Sequence, residues 1–152
     1  MELNPYLNFN GQCATAFKFY ERVLGGKIIA MMTGADMPKA SGMGKDWEGK
    51  IIHARLQVGD KLLMGSDSPP GHFESAKGFH VTLGIATPAE AERVFKALSA
   101  GGKVTMPIQE TFWARRFGML VDKFGTPWMI NCEKPQSGSG KKPKKASAKS
   151  KT

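Results

Sequence analysis

The feature that most constrains this chain is an internal repeat. The segment ATAFKFYERVL-GGKI aligns, after one inserted residue, with AEAERVFKALSAGGKV. Tyr20 then matches Phe95, Val23 matches Leu98, and Ala14 and Ala16 match Ala89 and Ala91. The same order of strand-like and helix-like signals surrounds both copies, so the chain reads as two modules, about 1–70 and 78–134, each a β-α-β-β-β unit. One such unit covers only one face of its sheet with its helix. The expected class is therefore α+β, with two tandem βαβββ modules forming a curved mixed sheet around a concave trough, where ligands favour the junction between modules.

The elements follow from local chemistry. Leu3 to Phe9 reads as a strand that Pro5 confines to an edge or to its own beginning. From Thr15 to Leu24, the apolar residues Ala16, Phe17, Tyr20, Val23 and Leu24 recur at helical spacing until Gly25-Gly26 ends the run. Lys27 to Met32 is a strand, and Thr33 to Gly49 a long loop. Lys50 to Val58 and Lys61 to Gly65 form a hairpin across Gly59-Asp60. In the second half Phe79 to Ala86 is a strand. Thr87, Pro88 and Glu90 then have the spacing of a helix start, with a hydroxyl cap and proline at the first helical position. Gly101-Gly102 closes that helix. Lys103 to Met106, Arg115 to Asp122 and Pro127 to Glu133 complete the series as strands.

Charge is the composition value that invites another reading. The net charge of +9 suggests a nucleic-acid partner, but the last 17 residues, 136–152, hold six lysines and no acid. The first 135 residues carry 16 basic groups against 13 acids, a net of only +3. The tail has no aromatic or branched aliphatic residue, so disorder is expected from about Pro135 onward. Residues 1–135 are expected to form a single domain. Association with nucleic acid or another anionic surface is an alternative carried by the tail alone. It predicts salt-dependent binding that disappears when residues 136–152 are removed. Two cysteines, Cys13 and Cys132, are too few for a disulfide scaffold and read as cytosolic thiols. The longest apolar run has five residues, Ile28 to Met32, too short for a helical membrane span, and the N-terminus lacks a secretory pattern. A cytoplasmic location is expected.

Beyond the repeat, the helix ending FYERVLGG, the hairpin KIIHARLQVGDKLLMGSD and the stretch RRFGMLVDKFGTPWMI resemble the vicinal oxygen chelate superfamily, in particular its PhnB-like branch. The resemblance covers about residues 3 to 133. It implies the glyoxalase/bleomycin-resistance fold, a small-molecule ligand and a homodimer. It does not by itself imply one chemistry, because the superfamily includes glyoxalases, dioxygenases, fosfomycin-modifying enzymes and metal-free bleomycin-sequestering proteins. Metal-dependent members take four His or Glu ligands from the first and last strand of each module. Here the resemblance maps those positions onto Pro5, Met64, His80 and Met129, so only His80 keeps a ligand type. No cofactor is expected. A rearranged divalent-metal site on His80 and His53, serving a glyoxalase- or dioxygenase-type lyase or isomerase, is the enzymatic alternative.

Strand alternation sets the remaining candidates. His80, Thr82 and Gly84 share one face, as do Met129, Asn131 and Glu133, and His53, Arg55 and Gln57. The apolar residues between them belong under the helices. The expected binding set is Leu7, His53, Met64, Ser66, Thr82, Trp113, Met129 and Asn131, and His80 is the candidate acid–base group near neutrality. His53 equally fits a structural hydrogen bond, and Trp113 equally fits loop packing. Met37, Met43 and Trp47 make the long loop a candidate lid or subunit contact. Its Gly42-Met43-Gly44-Lys45 lacks the spacing and the hydroxyl of a phosphate loop. Methyl transfer, a label sometimes attached to this branch, finds no glycine-rich cofactor fingerprint after a strand.

Overall fold

The computed structural model describes residues 1–42 and 44–135. Met43 and the Lys-rich tail, with the expectations attached to them, lie outside the described residues. In chain order the elements are β1 (Tyr6–Phe9), α1 (Cys13–Leu24), β2 (Lys27–Thr33), β3 (Ile51–Val58), β4 (Lys61–Asp67), β5 (Val81–Gly84), α2 (Pro88–Ser99), β6 (Lys103–Gln109), β7 (Ala114–Val121) and β8 (Pro127–Glu133). This is the repeated β-α-β-β-β order. Where a plain loop was expected after Thr33, three short 3-10 turns occur, at Gly34–Asp36, Lys39–Ser41 and Lys45–Trp47. The Asp36 carboxylate starts the first by accepting from the Thr33 backbone N–H at 2.7 Å and its hydroxyl at 3.0 Å.

The two modules build separate four-stranded sheets, ordered β1-β4-β3-β2 and β5-β8-β7-β6, and no ladder joins the sheets among the described residues. Within each, the first strand runs parallel to the fourth and the other pairs are antiparallel. Each helix turns one stripe inward at three- and four-residue spacing: Cys13, Ala16, Phe17, Tyr20 and Val23 on α1, and Ala91, Val94, Phe95 and Leu98 on α2. Thr87 caps α2 as its sequence predicts, its hydroxyl accepting from the Glu90 N–H at 3.3 Å. The start of α1 has no such residue. Instead Asp67, at the end of β4, accepts from the Cys13 N–H at 3.0 Å and the Ile51 N–H at 2.8 Å. A buried carboxylate thus ties helix, hairpin and first sheet together.

Two glycines let the helices sit close to their sheets. A Cβ on Gly65 would lie 2.9 Å from the Phe17 ring, and one on Gly118 would lie 2.7 Å from the Phe95 ring. The modules then share one core. Tyr20 of α1 donates its one hydroxyl proton to Asp122 at 2.6 Å, its oxygen accepts from the Thr126 hydroxyl at 2.9 Å, and its ring stands edge-on to Trp128 at 5.2 Å. Trp128 donates to the same Asp122 carboxylate at 2.8 Å. Arg93 of α2 donates to the Val23 carbonyl at the end of α1. Full burial of Trp128, Phe17, Leu98 and Ile130 in this core stabilises the fold by about 1.5–3 kcal/mol per side chain. Each sheet therefore spends one face on the shared core and leaves the other open. No helix among the described residues is long and apolar enough to cross a membrane.

Candidate functional site

On the first sheet the pleat turns Leu7, Phe9, Leu63, Ala54 and Leu56 toward the core. The residues between them face outward. Tyr6 pairs with Met64, and Met64 with Arg55; Asn8 pairs with Ser66, and Met32 with His53. His53, Met64 and Ser66 of the expected set therefore share one open face. Leu7 does not join them. It is 4% exposed and lies in the core, because its neighbours Tyr6 and Asn8 take the outward positions of the alternation. The structural role foreseen for His53 is present: the Tyr6 hydroxyl lies 3.2 Å from its Nδ1, and the two rings stack at 5.8 Å. With the phenol donating, the proton of a neutral His53 resides on Nε2, away from Tyr6.

On the second sheet, Thr82 lies beside Met129 and Gly84 beside Asn131, while Met119 and Phe117 flank them from β7. The Thr82 hydroxyl approaches the Met129 sulfur at 3.7 Å. Trp113 closes one side, its ring edge-on to Phe117 at 5.2 Å, and Phe112 stands against Trp113 at 4.7 Å. Thr82, Trp113, Met129 and Asn131 are thus neighbours on this face. His80 immediately precedes β5 and is exposed, so the register gives the place opposite Met129 to Thr82. Among the described residues, no hydrogen bond or ring contact connects the two open faces.

A cleft of about 530 Å³ runs between the start of β1 and the free edge of β5. Its walls are chiefly apolar, including Leu63, Leu83, Val94 and Trp128, and of the expected site residues only Thr82 reaches it. A smaller hollow of about 280 Å³ lies beside Tyr6 and Asn8, under Phe73 and Phe79.

The donor set does not suit the metal site of the metal-dependent relatives. The register places Tyr6, not Pro5, across from Met64, and Thr82 across from Met129, so the central positions offer a phenol, a hydroxyl and two thioethers. These are poor ligands for Zn, Ni or Mn. Among the described residues there is no group of three or more His, Cys, Asp or Glu side chains placed to hold an ion. Both cysteines are buried free thiols, and burial, aided by the Asp67 charge, pushes Cys13 up to about 12. Such a thiol is a packing element at neutral pH.

Tyr6 and Phe117 escaped the reading of the sequence. Both were within reach of the two-residue alternation, since Leu7 and Phe9 set the parity of β1 and Gly118 and Leu120 that of β7. Pro5 interrupts the strand signal just before Tyr6, and RRFGMLV has apolar residues on both faces, which blurs its period.

The family model for the glyoxalase/bleomycin resistance protein/dioxygenase superfamily matches residues 2–130. Protein YjdN of Escherichia coli K12 is 39% identical over 145 residues, covering 90% of this chain and 98% of the relative. Among solved structures, protein PA1353 from Pseudomonas aeruginosa is similar at 48% identity and a TM-score of 0.81, covering 88% of this chain and 98% of that one. A Bacillus cereus structure described as a putative 3-demethylubiquinone-9 3-methyltransferase, PhnB protein, is similar at 25% identity and a TM-score of 0.73, covering 87% and 99% of the two chains. With a family model spanning nearly all of the described residues and the repeated sheet-and-helix units in place, this chain belongs to the glyoxalase/bleomycin resistance protein/dioxygenase superfamily.

Proposed function

We propose that this protein binds a small organic molecule on the open faces of its two sheets, in the cytoplasm, without the four-ligand metal centre of its metal-dependent relatives. One observation carries the reading: large apolar side chains are left exposed on or beside those faces. Tyr6 and Met32 are 43% and 42% exposed on the first, and Trp113 and Phe112 are 44% and 89% exposed beside the second. Several large apolar side chains left exposed on or beside one pair of faces support a binding or association surface there.

A homodimer satisfies both needs. The first-module face of one protomer and the second-module face of its partner then enclose the ligand between them, forming the trough that one chain leaves open. His53, Met64 and Ser66 line one wall, and Thr82, Trp113, Met129 and Asn131 the other. His80 at the rim and His53 on the wall are the imidazoles available for proton transfer there.

The test is chemical-shift mapping of a fragment set on the full chain. Hits are expected to move the signals of His53, Ser66, Thr82, Met129 and Asn131 together. Hits that move only residues of the core-side cleft, such as Leu63 and Leu83, contradict the reading.

A further inference from the structure

On the second open face, one polar group has no partner. Among the described residues, Asn131 Oδ1 is the buried side-chain oxygen or nitrogen that makes no hydrogen bond. A buried acceptor left unpaired is a standing cost to the fold, and each one in a native structure calls for an explanation. Its surroundings supply one. Asn131 sits between Gly84 on β5 and Phe117 on β7, with Met129 two residues before it on the same face. Phe117 is 8% exposed under the Trp113 ring, so an aromatic wall stands beside the carboxamide. On the other side a Cβ at Gly84 would meet nothing within 4 Å, which leaves room for a ligand edge at that point.

We infer that Asn131 is the specificity-determining residue of this face and selects a flat ring that carries an N–H donor beside a carbonyl acceptor. This rests on the open-face reading above and adds the ligand class. A carboxamide offers one acceptor and two donors in a plane, so it pairs edge to edge with a lactam or a similar N–H/C=O edge. The terminal torsion of Asn is soft, and rotation about it brings Oδ1 out to meet the ligand donor. Trp113, braced edge-on by the buried Phe117, gives the ring an aromatic surface, and the Met129 and Met119 thioethers adapt to its outline. An apolar ring of the same size leaves Oδ1 unpaired and loses this advantage.

The probes are 2-pyridone and 1-methyl-2-pyridone, which differ only in replacing the donor N–H by N–CH3. They are titrated into the ¹⁵N-labelled full chain, with the Asn131 side-chain amide and the Trp113 indole as reporters. The wild type is expected to bind 2-pyridone about tenfold more tightly, the factor that one satisfied neutral hydrogen bond supplies. In Asn131→Leu the two probes are expected to bind equally. Asn131→Asp keeps the acceptor and is expected to keep the preference. Equal affinities in the wild type, with both probes moving the Trp113 signal, overturn the inference and leave the open-face reading standing. A preference that survives in Asn131→Leu overturns it as well. Failure of both probes to move any open-face signal overturns the inference, and the reading it rests on falls with it only if the wider fragment set moves no open-face signal either.

Discussion

Tyr20, on the helix of the first module, donates its hydroxyl to the Asp122 carboxylate of the second module across 2.6 Å, and both groups are buried. The same carboxylate accepts from Trp128 Nε1 and from the backbone N–H groups of Phe124 and Thr126. Burial first, and the neighbouring Asp122 charge second, push the Tyr20 phenol well above its ordinary range, so it remains a donor at all working pH values. Tyr20→Phe removes that donor while keeping the ring against Trp128. It is expected to cost about 1–3 kcal/mol, read as a lower urea midpoint with an unchanged slope.

Cys13 sets an alkaline limit. Its folded value, raised to about 12, exceeds the ordinary thiol value of 9.0. Below pH 9 both folded and unfolded states hold the proton and the stabilisation is complete. Between pH 9 and 12 only the folded state holds it, so stability falls as pH rises, by up to about 1.4 kcal/mol per unit. Urea melts from pH 8 to pH 10 are expected to show this loss, and Cys13→Ala is expected to flatten it. A profile identical in the variant contradicts the assignment.

The two close glycines make a matched pair of tests. Gly65→Ala forces a methyl against the Phe17 ring and the Leu7 carbonyl, and Gly118→Ala forces one against Phe95 and the Ile108 backbone. Each is expected to lower stability by about 1–3 kcal/mol, measured by thermal melts. Gly84→Ala, with open space around it, is expected to leave the melting temperature nearly unchanged.

How much of this was legible in the sequence depended on whether neighbouring positions were enough. Thr87-Pro88-x-Glu90 announced the start of α2 because a capping hydroxyl and its target N–H are three residues apart. Gly25-Gly26 announced the end of α1, where Gly25 adopts φ 66°. The start of α1 was not legible, because its first N–H is satisfied by Asp67, 54 residues away. Alternation put His53, Thr82, Met129 and Asn131 on the faces away from the helices, and the family resemblance supplied Met64; the strand registers bring His53 and Met64 to one face and Thr82, Met129 and Asn131 to the other. It also carried the means to exclude Leu7, whose parity matches Phe9 in the core. The long-range joints, Tyr20 to Asp122 and Arg93 to Val23, depend on how two modules pack, and no local pattern encodes that.

The proposed association follows from the exposed faces. The full chain is expected to sediment as a dimer, and Met32→Glu, which sets a charge on the first open face, is expected to weaken association by at least tenfold. Wild type sedimenting as a monomer at tens of micromolar contradicts the enclosed-ligand arrangement.

Binding of a small molecule on these faces without a metal centre is open to a metal-content measurement. The full chain, purified without chelator and incubated with Zn, Ni or Mn before desalting, is analysed for bound metal beside His80→Ala. Both proteins are expected to hold well under one equivalent per chain, with no difference between them. One equivalent held by the wild type and lost in His80→Ala would contradict binding without a metal centre.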